Sequence, residues 1–190
     1  MLTVNKTMSI ITSEYHRKIL RIPHGNQNPK KRYLNEEETL AIFNGEVFIQ
    51  EKVDGKLSGY NMPDGRPLEM SVGNILAIED MTGKNTVHNH VMKYTNLPVT
   101  KRIILDQIKV KELSLNKCKI EFYPPVIEHL TYARVNLENP TIAQIHAILE
   151  AFSQLPSHFG AVKIEGLVLK NYRKQLMAKW INEYFEDRLL

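Results

Sequence analysis

The chain has 190 residues, 43% hydrophobic and 24% charged, which excludes both a disordered polyelectrolyte and a membrane-embedded protein. Lys and Arg number 25 against 21 Asp and Glu, a net charge of +4; that permits a polyanionic partner without requiring one. The single cysteine, Cys118, excludes an intrachain disulfide framework and a cysteine-based zinc site, and fits a reducing compartment. Met1 to Thr12 lacks the apolar core of a signal peptide, and no apolar run approaches a spanning helix. The expectation is an intracellular, cytoplasmic chain with no membrane partner, folded as a single domain over 1–190.

Residues 1–34 read as polar and irregular, with a loop at His24 to Arg32 that ends on Lys30-Lys31-Arg32. Asn35 to Glu38 has the form of a capping box ahead of Leu40, Ile42 and Phe43, which predicts a short helix ended by Asn44-Gly45. Glu46–Glu51 reads as a strand, followed by Lys52-Val53-Asp54-Gly55 and a second strand over Lys56–Met62. Pro63-Asp64-Gly65 is the turn of a hairpin. Leu68–Ile78 is another β segment, with Gly73 at a bulge or bend. Thr86–Tyr94 reads as helix or loop, and Lys101–Lys111 is ambiguous. Lys117–Tyr123 alternates, with Cys118, Ile120 and Phe122 on one face and Lys119, Glu121 and Tyr123 on the other. Asn139 as cap and Pro140 as first residue open a helix whose stripe is Ile142, Ile145, Ile148, Leu149 and Phe152. Val162–Lys170 and Gln175–Ile181 are the last two strands, and Glu183–Leu190 is a short amphipathic tail. The elements add up to an α+β fold with mostly antiparallel strands.

The chemistry-bearing residues fall in three places. Glu51-Lys52-Val53-Asp54-Gly55 sets a lysine at a strand end beside a glycine turn. Ile120-Glu121-Phe122 sets a carboxylate on a strand among apolar residues. Glu165-Gly166-Leu167-Val168-Leu169-Lys170 is followed by Met177-Ala178-Lys179-Trp180-Ile181. Each piece alone has a plain structural reading: a charged turn, a solvated strand face, lysines protecting an edge. Their order and spacing, with Glu165 44 residues after Glu121 and Lys179 14 after Glu165, are far less easily met by chance. One point of geometry stands against them. Positions 165 and 170 differ by five, so an ideal strand would point Glu165 and Lys170 to opposite faces, unless a bulge near Gly166 intervenes or the strand ends before Lys170.

The set resembles the covalent nucleotidyltransferase superfamily of RNA ligases, DNA ligases and mRNA capping enzymes, over about residues 45–182. The likeness is strongest to ATP-dependent RNA ligases, because Glu165 to Lys170 matches the fourth motif in their form. The resemblance implies an antiparallel-sheet nucleotide pocket flanked by helices. It implies ATP as cofactor, with AMP carried covalently on Lys52, and Mg²⁺ or Mn²⁺ beside it. The AMP would then pass to a 5′-phosphate end that a 3′-hydroxyl attacks, the strand being RNA ahead of DNA. Lys170 and Lys179 would supply positive charge around Lys52, lowering the pKa of its amine and offsetting charge on the phosphoryl group. Glu165 would hold the metal, Glu121 the ribose or the metal, and Asp54 and Gly55 the turn beside the nucleotide. Glu51 and Phe122 complete the nucleotide-binding set, and Phe122, Tyr123 and Tyr132 are the candidates to cover the adenine. No Gly-x-x-x-x-Gly-Lys-Ser/Thr loop is present.

The sequence departs from the family pattern at three points. Val72 stands where RNA ligases carry an arginine, in Met70-Ser71-Val72-Gly73-Asn74. Lys179-Trp180-Ile181 keeps only the first lysine of the usual Lys-x-Lys. Eleven residues follow Lys179, so the C-terminal oligonucleotide-binding domain of DNA ligases and capping enzymes is not expected. These departures keep two alternatives in view: an adenylyltransferase that needs an accessory protein or another acceptor, and a nucleotide- or RNA-binding module that has the fold without the reaction. His88 and His90 read as a loop pair, Cys118 as a small hydrophobe and Trp180 as core. Arg17, Lys18, Arg21 and Lys30-Lys31-Arg32 are basic enough to contact a phosphate backbone.

Overall fold

A computed structural model describes residues 4–25, 27–61, 74–81, 94–114 and 116–186. In chain order the elements are α1 (Val4–Arg17), β1 (Ile19–Arg21), α2 (Glu36–Phe43), β2 (Gly45–Lys52), β3 (Lys56–Asn61), β4 (Asn74–Asp80) and β5 (Arg102–Leu113). They continue with β6 (Cys118–Tyr123), β7 (Thr131–Leu137), α3 (Ile142–Ser153), β8 (Gly166–Asn171), β9 (Leu176–Ile181) and α4 (Glu183–Glu186). The class is α+β, and every strand pairing but that of β1 with β9 is antiparallel. Among the described residues no helix is long and apolar enough to cross a membrane. The turn at Pro63-Asp64-Gly65, Val72 with its neighbours, and the pair His88 and His90 lie outside the described residues.

Contacts divide the chain, which the sequence reading treats as one domain, into two compact units. The first comprises Met1–Lys18, Gly55–Lys84 and Pro98–His129; the second comprises Ile19–Asp54, Asn85–Leu97 and Leu130–Leu190. The first unit holds α1 and a four-stranded sheet of order β3-β4-β5-β6. The alternation read at 118–123 is present, with Ile120 and Phe122 buried and Lys119 and Tyr123 exposed. The ambiguous stretch at 101–111 is strand β5, whose buried positions Ile103, Asp106, Ile108 and Val110 come in steps of two or three. A shift of register between Ala77 and Ile78 accounts for the step of three. The irregular reading of the N-terminus is corrected: residues 4–17 form a helix whose buried side chains Thr7, Ile11 and Tyr15 repeat every four residues. Intervening Ser, Thr and Lys residues dilute that stripe to the point of hiding it.

The second unit is built on a five-stranded sheet of order β1-β9-β8-β2-β7. The capping box before α2 forms as expected. The Asn35 side chain accepts from the Glu38 amide at 2.8 Å, and Glu38 accepts from the Asn35 amide at 2.9 Å. The start of α3 is corrected by two residues. Thr141, not Asn139, is its cap, in a second capping box with Gln144, while Asn139 adopts a left-handed φ of 48°. Strand β7 forms where the local sequence pattern marks no element. Strand β1 forms only because Ile19, Leu20 and Arg21 find Met177, Ala178 and Lys179 beside them in parallel register.

Register then sorts the sheet's two faces. Residues directly opposite each other point the same way, and successive residues alternate. Ile49, Leu167, Leu169, Ala178 and Trp180 fall on one face, where they form a core with Ile42 and Phe43 of α2 and Ile145 and Leu149 of α3. The other face carries Phe48, Gln50, Lys52, Val168, Lys170, Lys179 and Arg21. Three lysines and an arginine therefore share the face turned away from the aliphatic core.

Candidate active site

Lys52 is the last residue of β2, and Gly166, the first of β8, lies directly opposite. Glu165 precedes β8, so the pleat does not dictate its direction, and its carboxylate reaches the Lys52 ammonium. The Nζ lies 2.6 Å from one oxygen and 2.7 Å from the other. Gly166 permits this closeness of strands. A Cβ there would sit 2.0 Å from the Trp180 carbonyl oxygen, so only glycine fits beside β9. The parity conflict between 165 and 170 is thereby resolved. No bulge is needed and β8 runs past Lys170; it is the start of the strand, after Glu165, that frees the carboxylate.

The Lys52 side chain is 23% exposed and that of Glu165 only 8%. Burial pushes the Glu165 carboxyl above its ordinary value, and the adjoining Lys52 charge pulls it part of the way back. Lys179, two strands over on the same face, is held down to about 8. Its own burial is the first cause, followed by repulsion from Lys52, Arg21 and Lys31, with Glu165 opposing. Arg21 lies directly opposite Lys179 across the parallel β1–β9 pairing. Four cations and one buried carboxylate thus act on one another at a single end of the sheet. Lys170 is 2% exposed and lies opposite Phe48, four residues beyond Gly166 along β8, or about 13 Å of strand. It shares the face of Lys52 but sits well back from that end of the strand.

Asp54 follows Lys52 in the turn, and its amide donates to the Tyr94 hydroxyl at 2.8 Å. Tyr94, whose phenol is pushed up by burial, lies in the field of Glu51, Glu165 and Asp54. Glu51 points to the core side of the sheet and is 1% exposed. Its oxygens accept from the Ser157 hydroxyl at 2.5 Å, the His158 amide at 2.7 Å and the Tyr132 hydroxyl at 3.4 Å. Burial raises the Glu51 carboxyl, and those three donors offset part of the rise. Tyr132 stacks on His158, with centroids 4.2 Å apart. The Glu51 carboxylate therefore ties the 156–159 loop to the strand that ends in Lys52.

Gly55, Glu121 and Phe122, singled out from sequence as nucleotide-binding residues, belong to the first unit. The Gly55 amide donates to Glu79 at 3.0 Å, and a Cβ at Gly55 would meet Met81 Sδ at 2.4 Å. Glu121 pairs with Lys111 at 3.0 Å and accepts from the Tyr123 hydroxyl, contacts that hold its carboxyl below the usual range. Phe122 is fully buried, edge-on to Tyr15.

The second unit brings together Glu51, Lys52, Asp54, Glu165 and Lys179. To them it adds Arg21, which the sequence offered only as a backbone contact, and Tyr94, Ser157 and His158, which it did not offer at all. A tyrosine, a serine and a histidine in loops carry no local pattern, so only their approach to the strand end distinguishes them. Compared with models of protein families, with curated proteins and with solved structures, the chain matches none.

Proposed function

We propose that the chain is an ATP-dependent nucleotidyltransferase that carries AMP on Lys52, and that it joins 5′-phosphate and 3′-hydroxyl ends of RNA. The observation that carries the reading is the Lys52–Glu165 pair at the mouth of a cationic sheet face. A lysine attacks phosphorus only as the free amine. Glu165, buried and pushed toward its protonated form, is the adjacent group able to take the Lys52 proton. The Lys52 Nζ then forms a bond to the α-phosphorus, the bond to the β-phosphate oxygen breaks, and pyrophosphate leaves with that oxygen. Lys179 and Arg21, side by side, meet the negative charge spread over the phosphate oxygens. Asp54 and Tyr94 hold the turn that follows Lys52, and Glu51 fixes the strand before it.

Among the described residues no group of three ligating side chains could hold a metal by itself. Mg²⁺ or Mn²⁺ needs no such group where substrate phosphates and water complete its shell; Glu165 would hold the ion only in its ionised form, so the metal and the Lys52 proton are alternatives on that carboxylate. When bound, such an ion neutralises phosphate charge. The choice of RNA rests on the Glu165 to Lys170 motif in its RNA ligase form.

Intact mass after incubation with ATP and Mg²⁺ tests the chemistry. Wild type should gain one AMP, about 329 Da, and Lys52→Ala should gain nothing. Thermal stabilisation by ATP with no adduct on wild type would replace this reading with a nucleotide-binding module. An adduct that never passes to RNA ends would point to another acceptor or to an accessory protein.

A further inference from the structure

A cavity lies in the second unit, on the core-facing side of its sheet. It is an open cleft of about 570 Å³ lined by His24, Glu150, Trp180, Asn182, Glu183 and Tyr184, together with the C-terminal end of α3. Trp180 alternates with Lys179 along β9, so this cavity belongs to the core face, away from Lys52. His24 stacks flat on Trp180, with centroids 3.7 Å apart.

The donors and acceptors of this wall are unevenly used. The side-chain donors of Asn182, Tyr184 and Ser153 are spent internally. The Asn182 amide nitrogen donates to the Ile164 carbonyl at 2.8 Å and to the Ser153 carbonyl at 3.3 Å. The Tyr184 hydroxyl donates to Ile164, and the Ser153 hydroxyl donates to Glu150 O at 2.8 Å. The acceptors are left over. Asn182 is 5% exposed, and its side-chain oxygen accepts no hydrogen bond among the described residues. Its orientation is fixed, because both amide hydrogens already point at carbonyls. Glu150 and Glu183 make no ion pair among the described residues. The last turn of α3 carries no basic residue to meet its partial negative charge. His24 is held toward its neutral form by burial, against the opposing pull of Glu183 and Glu150.

We propose that this cavity binds a guanidinium group. The unspent Asn182 oxygen and two carboxylates without an ion pair among the described residues call for a cation rich in N–H donors. A stacked aromatic pair in the wall suits a flat, weakly hydrated cation better than a compact ammonium. A guanidinium also offers the forked N–H geometry that carboxylates accept in pairs. The ligand is either a free guanidino compound or an arginine side chain of a partner. The cavity also touches the segment that carries Glu165. The backbone N–H of Asn182 donates to the Glu165 carbonyl at 3.0 Å, and the side chains of Asn182 and Tyr184 both donate to the Ile164 carbonyl. Binding does not depend on the adenylylation reading and is tested without ATP.

The probe is agmatine, titrated calorimetrically into the full chain at low salt, with putrescine and butylurea as controls on wild type. Agmatine should bind saturably, putrescine several-fold more weakly, and neutral butylurea not at all. The double variant Glu150→Gln/Glu183→Gln, isosteric and at exposed positions, should bind agmatine at least about tenfold more weakly. Tighter binding of a Gly-Arg-Gly peptide than of agmatine would identify an arginine side chain as the ligand, and the reverse a free guanidino compound. Absence of saturable agmatine binding to wild type, equal binding of butylurea, or unchanged affinity in the double variant would each overturn the proposal.

Discussion

Lys179→Met separates what this site does for function from what it costs the fold. A fall in pKa from 10.5 to about 8 corresponds to about 3 kcal/mol of unfavourable interaction between the ammonium and its surroundings. Discounted for the part of the side chain that solvent screens, on the order of 2 kcal/mol remains. Between pH 8 and pH 10.5 the unfolded chain holds the Lys179 proton and the folded chain has lost it, so stability rises with pH across that window. Below pH 8 the full cost is present. Methionine keeps most of the volume and removes the charge. Urea denaturation should therefore find Lys179→Met more stable than wild type by about 1–2 kcal/mol at pH 7, with the difference shrinking by pH 10. The same variant should lose AMP transfer, because the cation opposite Arg21 is gone. A variant less stable than wild type at pH 7, or an advantage that does not shrink with pH, would refute the reasoning. The first result would mean that attraction to Glu165 outweighs burial and the repulsion of Lys52, Arg21 and Lys31, and the second that the gain comes from packing, not from removing the charge.

Three further outcomes follow from single contacts. Gly166→Ala forces a Cβ to 2.0 Å from the Trp180 carbonyl and 3.0 Å from the Ile181 Cα, both backbone, and should cost about 3 kcal/mol in chemical denaturation. Glu51→Ala leaves the Ser157 hydroxyl and His158 amide without their buried acceptor and should cost about 3 kcal/mol. Glu51→Gln keeps one acceptor and should recover most of that loss. It should also abolish a pH slope: with the Glu51 carboxyl raised, the wild-type contribution falls as pH rises above the ordinary carboxylate value. Asn35→Ala removes the cap of α2 and should lower stability by about 1 kcal/mol, with AMP transfer unchanged.

Much of this chain is legible locally. The capping box at Asn35 and Glu38, the alternation at 118–123, and the apolar stripe of Ile145 and Leu149 are short-range patterns, and short-range sterics and hydrogen bonding produce them. The motif from Glu51 to Gly55 and the glycine at 166 are legible as types, because a strand-end lysine and a position without room for a Cβ leave marks in sequence. What the sequence misread was dilute or displaced. The helix at 4–17 buries one residue in four, and the cap of α3 moved from Asn139 to Thr141 because Gln144 could close a box only with the latter.

The sequence by itself determined which residue types were at hand: a lysine beside a glycine turn, a carboxylate before a strand, and basic side chains at set intervals. Tertiary structure alone decided which of them meet. Lys52 and Glu165 are 113 residues apart in the chain and 2.6 Å apart in space. Arg21 adjoins Lys179 only because β1 pairs in parallel with β9. The physical reason is that strand register is a long-range choice, set by burial of one sheet face against α2 and α3. Once that face is buried, the pleat leaves Lys52, Lys170, Lys179 and Arg21 no direction but the other.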